Sequence, residues 1–180
     1  MPLPVLGHLE SLPALDHLHL VADPTAVFLS RWPYTSQLAV TEIDPSLADT
    51  TELTAAFDLP LEASGNCVVV SGRRGGEERI AACVVPADTR ADVNNLVRRR
   101  LDVRKATFLA MERAVELTGM EYGGITPVGL PTEWLVLVDA SLLTTPVVCV
   151  GSGVRRSKLL LPGELLAELP GVEVVDGLGR

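Results

Sequence analysis

The chain has few of the side chains from which disulfide frameworks, metal centres and hydrolytic triads are built. Its three cysteines, Cys67, Cys83 and Cys149, are isolated from one another, and each lies in an apolar, strand-like run. An odd number of cysteines without a CxxC pair argues against both a disulfide framework and a zinc site. We therefore predict three buried, reduced thiols.

Histidine is equally scarce. His8, His17 and His19 all lie in the first twenty residues, and no cluster of carboxylates or cysteines joins them. Surface or packing roles are therefore favoured over metal binding, and we predict neither a metal nor a cofactor. The same positions leave no histidine near the glycine-rich segment discussed below, which argues against a Ser-His or Cys-His hydrolase.

Long apolar runs are also lacking. Hydrophobic residues make up 47% of the 180 residues, enough for the core of one domain, but Pro, Gly or a charge interrupts the apolar runs before they reach the length of a membrane span. The first residues, MPLPVLGHLESL, have no basic segment before the apolar ones and so do not resemble a signal peptide. We expect a cytoplasmic protein with no membrane partner.

Negative charge dominates the composition, with a net charge of −8. This balance argues against a nonspecific nucleic-acid binder, and we expect no DNA partner. The positive charge is nevertheless clustered, at Arg73–Arg74, Arg98–Arg100, Arg104–Lys105 and Arg155–Lys158. Such clusters fit either a local face for a phosphate backbone or solvated arginines at a helix end, and the second explanation is the commoner one.

The segment Met120–Pro131, MEYGGITPVGLP, is the most informative in the chain. Its glycines let the backbone turn with positive φ and let a ligand approach main-chain N–H groups. Pro127 and Pro131 stiffen it, so the amides are held in place before a ligand arrives. The pattern is typical of a loop that binds a carboxyl-derived or phosphate oxygen, and a tight connection without a ligand is the alternative.

Hydrophobic periodicity predicts hairpins of strands with helices between them. One predicted hairpin pairs Cys67–Ser71 with Arg79–Val85 across a long basic tip, Gly72–Glu78. Four helices are predicted: a short one that ends at Phe57 and is capped by Asp49 or Thr50, Val93–Leu101 with Asp92 as its cap, Ala110–Thr118 ending at Gly119, and Glu164–Leu169. The other predicted strands are Gln37–Ile43, Ala106–Phe108, Trp134–Asp139, Pro146–Val150, Ser157–Leu161 and Val172–Val175. This order predicts an α+β fold with a mixed sheet, curved or barrel-like, flanked by helices.

Several segments, taken in order, resemble the YbaK family, also called the prolyl-tRNA-synthetase-associated editing domain. They are the β run Asn66–Val70, DVNNLVRRRL at Asp92–Leu101, RKATF at Arg104–Phe108, ELTGMEYGGITPVGLP at Glu116–Pro131, the strand ending at Asp139, and VGSGVRRSKLLLPGELL at Val150–Leu166. The ordered set is fairly specific, whereas each fragment alone is weak. Because the similarity covers roughly residues 36–176, we predict an N-terminal extension, 1–35, and an editing domain, 36–180.

The resemblance implies a function in translation fidelity. Members of the family hydrolyse the ester that joins a mischarged amino acid to the 3′ end of a tRNA, either as editing domains or as free-standing trans-editing proteins. We therefore expect a trans-editing deacylase whose partners are the 3′ end of an aminoacyl-tRNA and an aminoacyl-tRNA synthetase. Since such an ester is already activated, a site can act mainly by positioning water and stabilising the oxyanion.

The glycine-rich loop and the resemblance together define a candidate site. The amides of Gly123, Gly124 and Ile125 are the predicted catalytic donors. The predicted substrate-binding residues are Asn66, Thr126, Pro127, Gly129, Asp139, Gly151, Ser152, Gly153, Arg155 and Lys158. Structural alternatives remain open: Asp139 as the cap of a turn at Ser141, Gly151–Gly153 as a plain hairpin turn, Thr126 as the closure of a local turn, and Cys67 as a buried thiol rather than a nucleophile.

One residue departs from the family pattern. Members carry a lysine at the start of the β run, where this chain has Asn66. Asparagine donates and accepts hydrogen bonds but carries no charge. Either Arg155, Arg156 or Lys158 supplies the cation, or deacylase activity is reduced, lost or directed at another substrate. A non-catalytic module that binds an amino acid or a nucleotide is therefore the second hypothesis, and hydrolysis of another small ester the third.

Overall fold

Nine strands form two open sheets in the structure, a computed structural model that describes residues 2–180. The strands are β1 Leu12–Pro13, β2 Ala39–Glu42, β3 Gly65–Arg74, β4 Glu77–Pro86, β5 Ala106–Phe108, β6 Leu135–Asp139, β7 Val148–Gly151, β8 Ser157–Leu161 and β9 Val172–Val175. The first sheet is antiparallel, with the order β1-β2-β8-β7. The second has the order β5-β3-β4-β6-β9, and β6 runs parallel to both of its neighbours.

Short helices connect and flank these strands. The α-helices are α1 Asp23–Leu29, α2 Thr50–Phe57, α3 Arg98–Arg100, α4 Met111–Thr118 and α5 Ala140–Leu143. Turns of 3₁₀-helix lie at Ala14–Leu20, Thr35–Gln37, Pro45–Leu47, Leu61–Ala63 and Gly163–Glu168, and a π-helical turn, Val93–Val97, leads into α3. Two predicted helix ends are confirmed: the side chain of Asp92 accepts from the Asn95 N–H, and Gly119 ends α4 with φ of 67°.

The main core lies between the two sheets. Val40 and Leu159 from the first sheet pack there with Val84 and Val138 from the second. Because side chains alternate along a strand, the intervening residues of the second sheet, such as Cys83, form a separate cluster beneath the basic helical segment 93–101. A third cluster joins α2 to the outer face of the first sheet. The predicted α+β class is confirmed.

The two sheets do not close into a barrel. Within residues 2–180 a single isolated β-bridge, between Ser64 and Cys149, joins them through the backbone, and each sheet keeps free edge strands. The barrel-like alternative is therefore wrong. The bridge brings the start of β3 beside β7 and leaves the adjoining space to be lined by both sheets.

The β3–β4 hairpin is longer and its turn tighter than predicted. The ladder continues to the pair Arg74↔Glu77, so only Gly75 and Gly76 form the connection and the predicted long tip, Gly72–Glu78, is wrong. Both glycines have positive φ, 59° and 85°, which a two-residue hairpin turn favours. Oppositely charged residues face each other across the last two pairs, which supports the ladder there.

Residues before position 36 contribute to the first sheet and to the main core. Leu12 pairs with Val40 at the sheet edge. Leu20, Leu29 and Trp32 are buried in the core between the sheets. No helix in the part of the chain that the structure describes has the length and apolar character that a bilayer crossing requires.

Candidate functional site

A cavity of about 380 Å³ opens where the two sheets meet. Its lining comes from the start of α2, the start of β3, the connection from β5 to α4, the glycine-rich loop, the end of β7 and the start of β8. A volume in this range suits a small organic ligand or one end of a larger one. The cavity is therefore the candidate site, and each predicted residue is placed relative to it below.

The glycine-rich loop borders the cavity through Gly123 and Ile125. Their N–H groups donate to no protein acceptor within residues 2–180. Gly123 has φ of 82°, and the guanidinium of Arg155 lies where a Cβ would be. The positive φ favours a glycine at this position, whereas the Arg155 guanidinium, at the end of a flexible side chain, could move aside.

Gly124 does not have the role predicted for it. Its N–H already donates to the Glu121 carbonyl, at 3.0 Å, and its carbonyl accepts from the Gly153 N–H, at 2.7 Å. A Cβ on Gly124 would lie 2.7 to 2.8 Å from backbone atoms of Val154. Gly124 therefore locks the loop against the 151–153 turn, and its amide is not a free donor.

The later part of the loop points away from the cavity. Thr126 is fully buried, and its Oγ1 accepts a hydrogen bond from the Val128 N–H at 3.4 Å. The hydroxyl therefore closes a local turn, as in the structural alternative given for this residue. Gly129 packs against the backbone of Pro24, which leaves no room for a side chain there. Thr126, Pro127 and Gly129 are absent from the cavity lining, so their predicted contact with a ligand is corrected to a structural role.

The 151–153 turn supports the loop and reaches the cavity only through Gly151. The hydroxyl of Ser152 is fully buried and lies 2.7 Å from the hydroxyl of Ser157. The Gly153 N–H is engaged by Gly124. The predicted anion-binding nest at Ser152 and Gly153 is therefore wrong.

Asp139 lies away from the cavity. Its Oδ1 accepts from the N–H and the hydroxyl of Ser141, at 2.9 and 2.6 Å, and its Oδ2 accepts from the Gly179 N–H at 2.7 Å. The carboxylate thus caps α5 and ties down the C-terminal segment. Asp139 therefore acts as a cap at Ser141, the structural alternative given for it, and its predicted contact with substrate is wrong.

Asn66 does line the cavity, at the start of β3. Its Oδ1 accepts from the hydroxyl of Thr50, at 2.9 Å, which leaves its amide N–H₂ group without a protein acceptor among the described residues. Thr50 is the first residue of α2, so the N-terminal end of that helix also meets the cavity. Helix N-termini favour negative charge.

Lys158 brings a cation into the cavity from the first sheet. It is 8% exposed, and its Nζ donates to the Ala48 carbonyl at 2.7 Å. No carboxylate forms an ion pair with it among residues 2–180. Burial lowers its pKa below the ordinary lysine value. An ammonium with two N–H groups to spare and little water suits a ligand oxygen that carries or develops negative charge.

Comparison with known proteins identifies the family. The model of the aminoacyl-tRNA editing domain matches residues 44–169, most of the chain and all of the cavity residues between α2 and β8. The chain belongs to the aminoacyl-tRNA editing domain family. It therefore has an editing role, and the resemblance to the YbaK family is confirmed.

Solved structures share the editing-domain fold at low sequence identity. A structure named "a putative trans-editing enzyme for prolyl tRNA synthetase" superposes with a TM-score of 0.73 at 23% identity, covering 92% of this chain and 96% of its own. A scaffold protein from epitope backbone grafting gives 0.73 at 23% identity, covering 86% and 95%. Hypothetical protein APE2540 gives 0.69 at 24% identity, covering 77% and 89%. The chain matches none of the curated proteins with which it was compared.

Two arginines next to the editing cavity are held by the protein itself. Arg155 pairs with Asp49, at 3.3 Å, and its second terminal nitrogen donates to the Pro45 carbonyl at 3.1 Å. Its side chain therefore flanks Gly123 without lining the cavity. Arg156 donates to the His19 carbonyl, away from the site. Of the three cations proposed to replace the family lysine, only Lys158 lines the cavity.

The thiols of the editing domain remain protonated at neutral pH. Burial raises the pKa of Cys149 to about 11, outweighing the opposing effect of Lys158 beside it. Burial likewise raises the pKa of Cys83 to about 12 and that of Cys67 further. A protonated thiol is a much poorer nucleophile than a thiolate. This supports a structural role for Cys67 rather than a role as a nucleophile. All three cysteines are free; Cys83 and Cys149 are buried as predicted, whereas Cys67 is half-buried and lines the cavity.

Sequence reasoning missed several cavity residues. Phe108 and Tyr122 lie within the RKATF and MEYGG segments but were not singled out, although an aromatic residue beside paired glycines is a usable signal. Ser64 was missed as well. It is 4% exposed, and its Oγ makes no hydrogen bond within the described residues. A buried hydroxyl without a partner at a cavity indicates a water or ligand contact.

Proposed function

We propose that this editing domain is a trans-editing deacylase that hydrolyses the ester between a mischarged amino acid and the 3′ end of its tRNA, in the cytoplasm. The observation that carries the proposal is the buried, unpaired ammonium of Lys158 at a cavity that also holds the free amides of Gly123 and Ile125. The ammonium keeps N–H groups to spare beyond its bond to the Ala48 carbonyl, and the two amides have no protein acceptor among residues 2–180. A developing oxyanion is an acceptor that all three groups fit.

Hydrolysis in this site proceeds by positioning rather than by a charged nucleophile. Water attacks the ester carbonyl carbon, the carbonyl oxygen becomes negative in the tetrahedral intermediate, and the C–O bond to the ribose then breaks. Lys158 and the loop amides stabilise that oxygen, while the free hydroxyl of Ser64 and the Asn66 amide hold the water or the ribose. The neighbouring ribose hydroxyl relays the proton that water loses to the ribose oxygen that leaves, so the products are the free amino acid and the intact 3′ end. None of the three histidines, all within the described residues, lines the cavity.

The cavity wall indicates the kind of amino acid removed. Leu53, Val69 and Ala114 line it and are buried. Among the described residues the lining has one carboxylate, Asp49, which is paired with Arg155. A wall of this kind favours a small, uncharged side chain, because a charged one would lose hydration without a partner. An aminoacyl-tRNA synthetase, such as the prolyl enzyme named for the structural relative, is the proposed second partner.

A panel of mischarged tRNAs tests this function directly. We expect the purified protein to release small, uncharged amino acids and to leave charged ones attached.

Lys158→Met is expected to lower kcat by about a hundredfold, the usual cost of losing one oxyanion donor. Asn66→Lys is expected to raise activity, because it restores the cation that the family pattern has at that position.

The second hypothesis, a non-catalytic binding module, predicts binding of the ligand without hydrolysis. A non-catalytic module that binds an amino acid or a nucleotide remains open because Asn66 replaces the family lysine. Binding of an aminoacyl-adenosine analogue without turnover of any charged tRNA, in the wild type and in Asn66→Lys alike, would favour the module and reject the deacylase.

A further inference from the structure

The two residues that begin α2 do not cap it. The sequence predicts Asp49 or Thr50 as the cap, but no side-chain hydrogen bond closes the N-terminal end of this helix. The carboxylate of Asp49 pairs with Arg155 instead, and the hydroxyl of Thr50 donates to Oδ1 of Asn66, at 2.9 Å. Because an uncapped helix is less stable, two capping side chains directed elsewhere indicate that their other contacts have a use.

The Thr50–Asn66 hydrogen bond joins two elements at the editing cavity. Thr50 belongs to α2 and Asn66 to β3, and both residues line the cavity. The ladder with β4 fixes the backbone of Asn66 opposite Val85, but a ladder leaves the side chain free to rotate. Among residues 2–180, the Thr50 hydroxyl makes the one hydrogen bond that holds the Asn66 side chain.

This hydrogen bond also decides which end of the amide a ligand meets. A carboxamide has an acceptor end, the oxygen, and a donor end, the N–H₂ group. The Thr50 hydroxyl proton has Oδ1 of Asn66 as its acceptor, and a reversed amide would leave that proton without an acceptor in the part of the chain that the structure describes. The oxygen of Asn66 is therefore occupied, and the N–H₂ group is the part left for a ligand.

The orientation of Asn66 matches the other polar groups of the cavity. Lys158 has N–H groups to spare beyond its bond to Ala48, and the Gly123 and Ile125 amides have no protein acceptor among the described residues. All of these are donors, and they bind acceptor oxygens. An Asn66 oxygen turned towards the same ligand atoms would repel them. The Thr50 hydroxyl thus keeps Asn66 in agreement with its surroundings.

We propose that Thr50 is a positioning residue of the editing cavity: by occupying Oδ1 of Asn66, it presents the Asn66 N–H₂ group to an acceptor oxygen of the bound ligand. Thr50 acts on the ligand through Asn66 rather than by a contact of its own. The identification of the ligand as the aminoacyl end of a tRNA rests on the proposed function. The pair supplies an oriented but uncharged donor at the start of β3.

A double-mutant cycle on Thr50 and Asn66 tests this role without requiring turnover. The probe is an alanyl-adenosine in which an amide replaces the ester, and calorimetry measures its Kd. Thr50→Val removes the hydroxyl at nearly constant volume, and we expect Kd to rise about fivefold, the order of one hydrogen bond. In the Asn66→Ala background the same change should leave Kd unaltered, because no amide remains to be oriented.

Two further variants separate orientation from packing. Thr50→Ser keeps the hydroxyl and loses the methyl group, so it should retain the wild-type Kd, whereas a packing role for Thr50 predicts a loss. Thr51→Val is the matched control on the same helix, because Thr51 is exposed and its hydroxyl makes no hydrogen bond within residues 2–180. It should change neither Kd nor the cycle. Thermal melting of each variant checks that it is folded.

Nuclear magnetic resonance reports the Asn66 amide in the wild-type protein and does not need a folded Thr50→Val variant. The chain has three asparagines, Asn66, Asn94 and Asn95, so the side-chain N–H₂ signals of Asn66 are assigned by their loss in Asn66→Ala. We expect the alanyl-adenosine analogue to shift these signals and to leave those of Asn94 and Asn95, outside the cavity lining, in place.

An unchanged Kd in Thr50→Val, or an equal rise with and without the Asn66 side chain, would overturn the role of Thr50. Asn66 N–H₂ signals that do not respond to the analogue, or a wild-type protein that does not bind it, would overturn it too. The proposed function fails separately: no turnover of any charged tRNA, with the cycle as expected, rejects the deacylase and keeps Thr50 as a positioning residue. Turnover without the expected cycle has the reverse meaning.

Discussion

At Lys158 the fold holds an ammonium group where most of its hydration is lost. The residue is 8% exposed, and among residues 2–180 only the Ala48 carbonyl accepts a hydrogen bond from its charged end. Because its pKa is lowered, the unfolded chain binds the proton more tightly than the folded one. This residue therefore costs stability below its folded pKa, and the cost disappears as pH rises towards the ordinary lysine value. A costly buried charge is more readily explained by function than by stability.

The pH dependence of deacylation should report Lys158. Only the protonated amine stabilises an oxyanion, so kcat is expected to fall as pH rises through the lowered pKa of Lys158, before an ordinary lysine would titrate. Lys158→Arg should remove that alkaline fall, since guanidinium stays protonated. The measurement is single-turnover deacylation against pH, corrected for spontaneous ester hydrolysis. An unchanged alkaline fall in Lys158→Met would show that another group causes it.

At the scale of elements, the glycine-rich loop and the 151–153 turn form one interlocked unit. The Glu121 N–H donates to the Gly153 carbonyl, at 2.8 Å, and the Gly153 N–H donates back to Gly124. Gly151 lies so close to the carbonyls of Gly124 and Ile125 that a Cβ would clash with them. This packing holds the free amides of Gly123 and Ile125 in place before a ligand binds, which is what preorganised stabilisation requires.

Gly124→Ala should separate packing from ligand contact. The new methyl group would meet backbone atoms of Val154, which cannot move as a side-chain end can. Overpacking costs about 1–3 kcal/mol, so we expect Tm to fall by about 5 °C in a domain of this size, together with turnover. Calorimetry and the deacylation assay measure the two effects.

A glycine at the far end of the β3–β4 hairpin provides the control. Gly75 has open space around it and φ of 59°, so Gly75→Ala should cost stability through its backbone conformation alone and leave turnover unchanged. A Gly124→Ala variant that keeps the wild-type Tm but loses turnover would mean that the Gly124 amide faces the ligand after all.

At the scale of the whole molecule, the first 35 residues are packed into the same core as the editing domain. Leu20, Val21, Leu29 and Trp32 are buried between the sheets with residues from both of them. Burying each such side chain stabilises a fold by about 1.5–3 kcal/mol. Together they approach the whole stability of a typical domain, about 5–15 kcal/mol. The boundary at residue 36 is accordingly a proposal about sequence similarity rather than about independent folding.

Truncation tests this boundary. The fragment 36–180 is expected to lack a cooperative thermal transition, because its core loses those four side chains. In the full chain, Leu29→Ala should lower stability by about 2–5 kcal/mol. Val27→Ala, on the same helix but 55% exposed, should have little effect. A fragment that melts cooperatively near the Tm of the full chain would establish residues 1–35 as a separable extension.

The sequence by itself determined the family, the α+β class, most strand positions and the helix ends at Asp92 and Gly119. These features depend on local signals: alternation, capping side chains and the order of motifs. Tertiary structure alone decided which amides of the loop are free, that Asp139 and Ser152 support the fold, and that Lys158 rather than Arg155 or Arg156 enters the cavity. Part of this is local, since the Gly124 N–H donates to Glu121 and Asp139 caps Ser141. The rest depends on partners far away along the chain, such as Gly179 for Asp139 and Ala48 for Lys158, and no local pattern specifies such pairings.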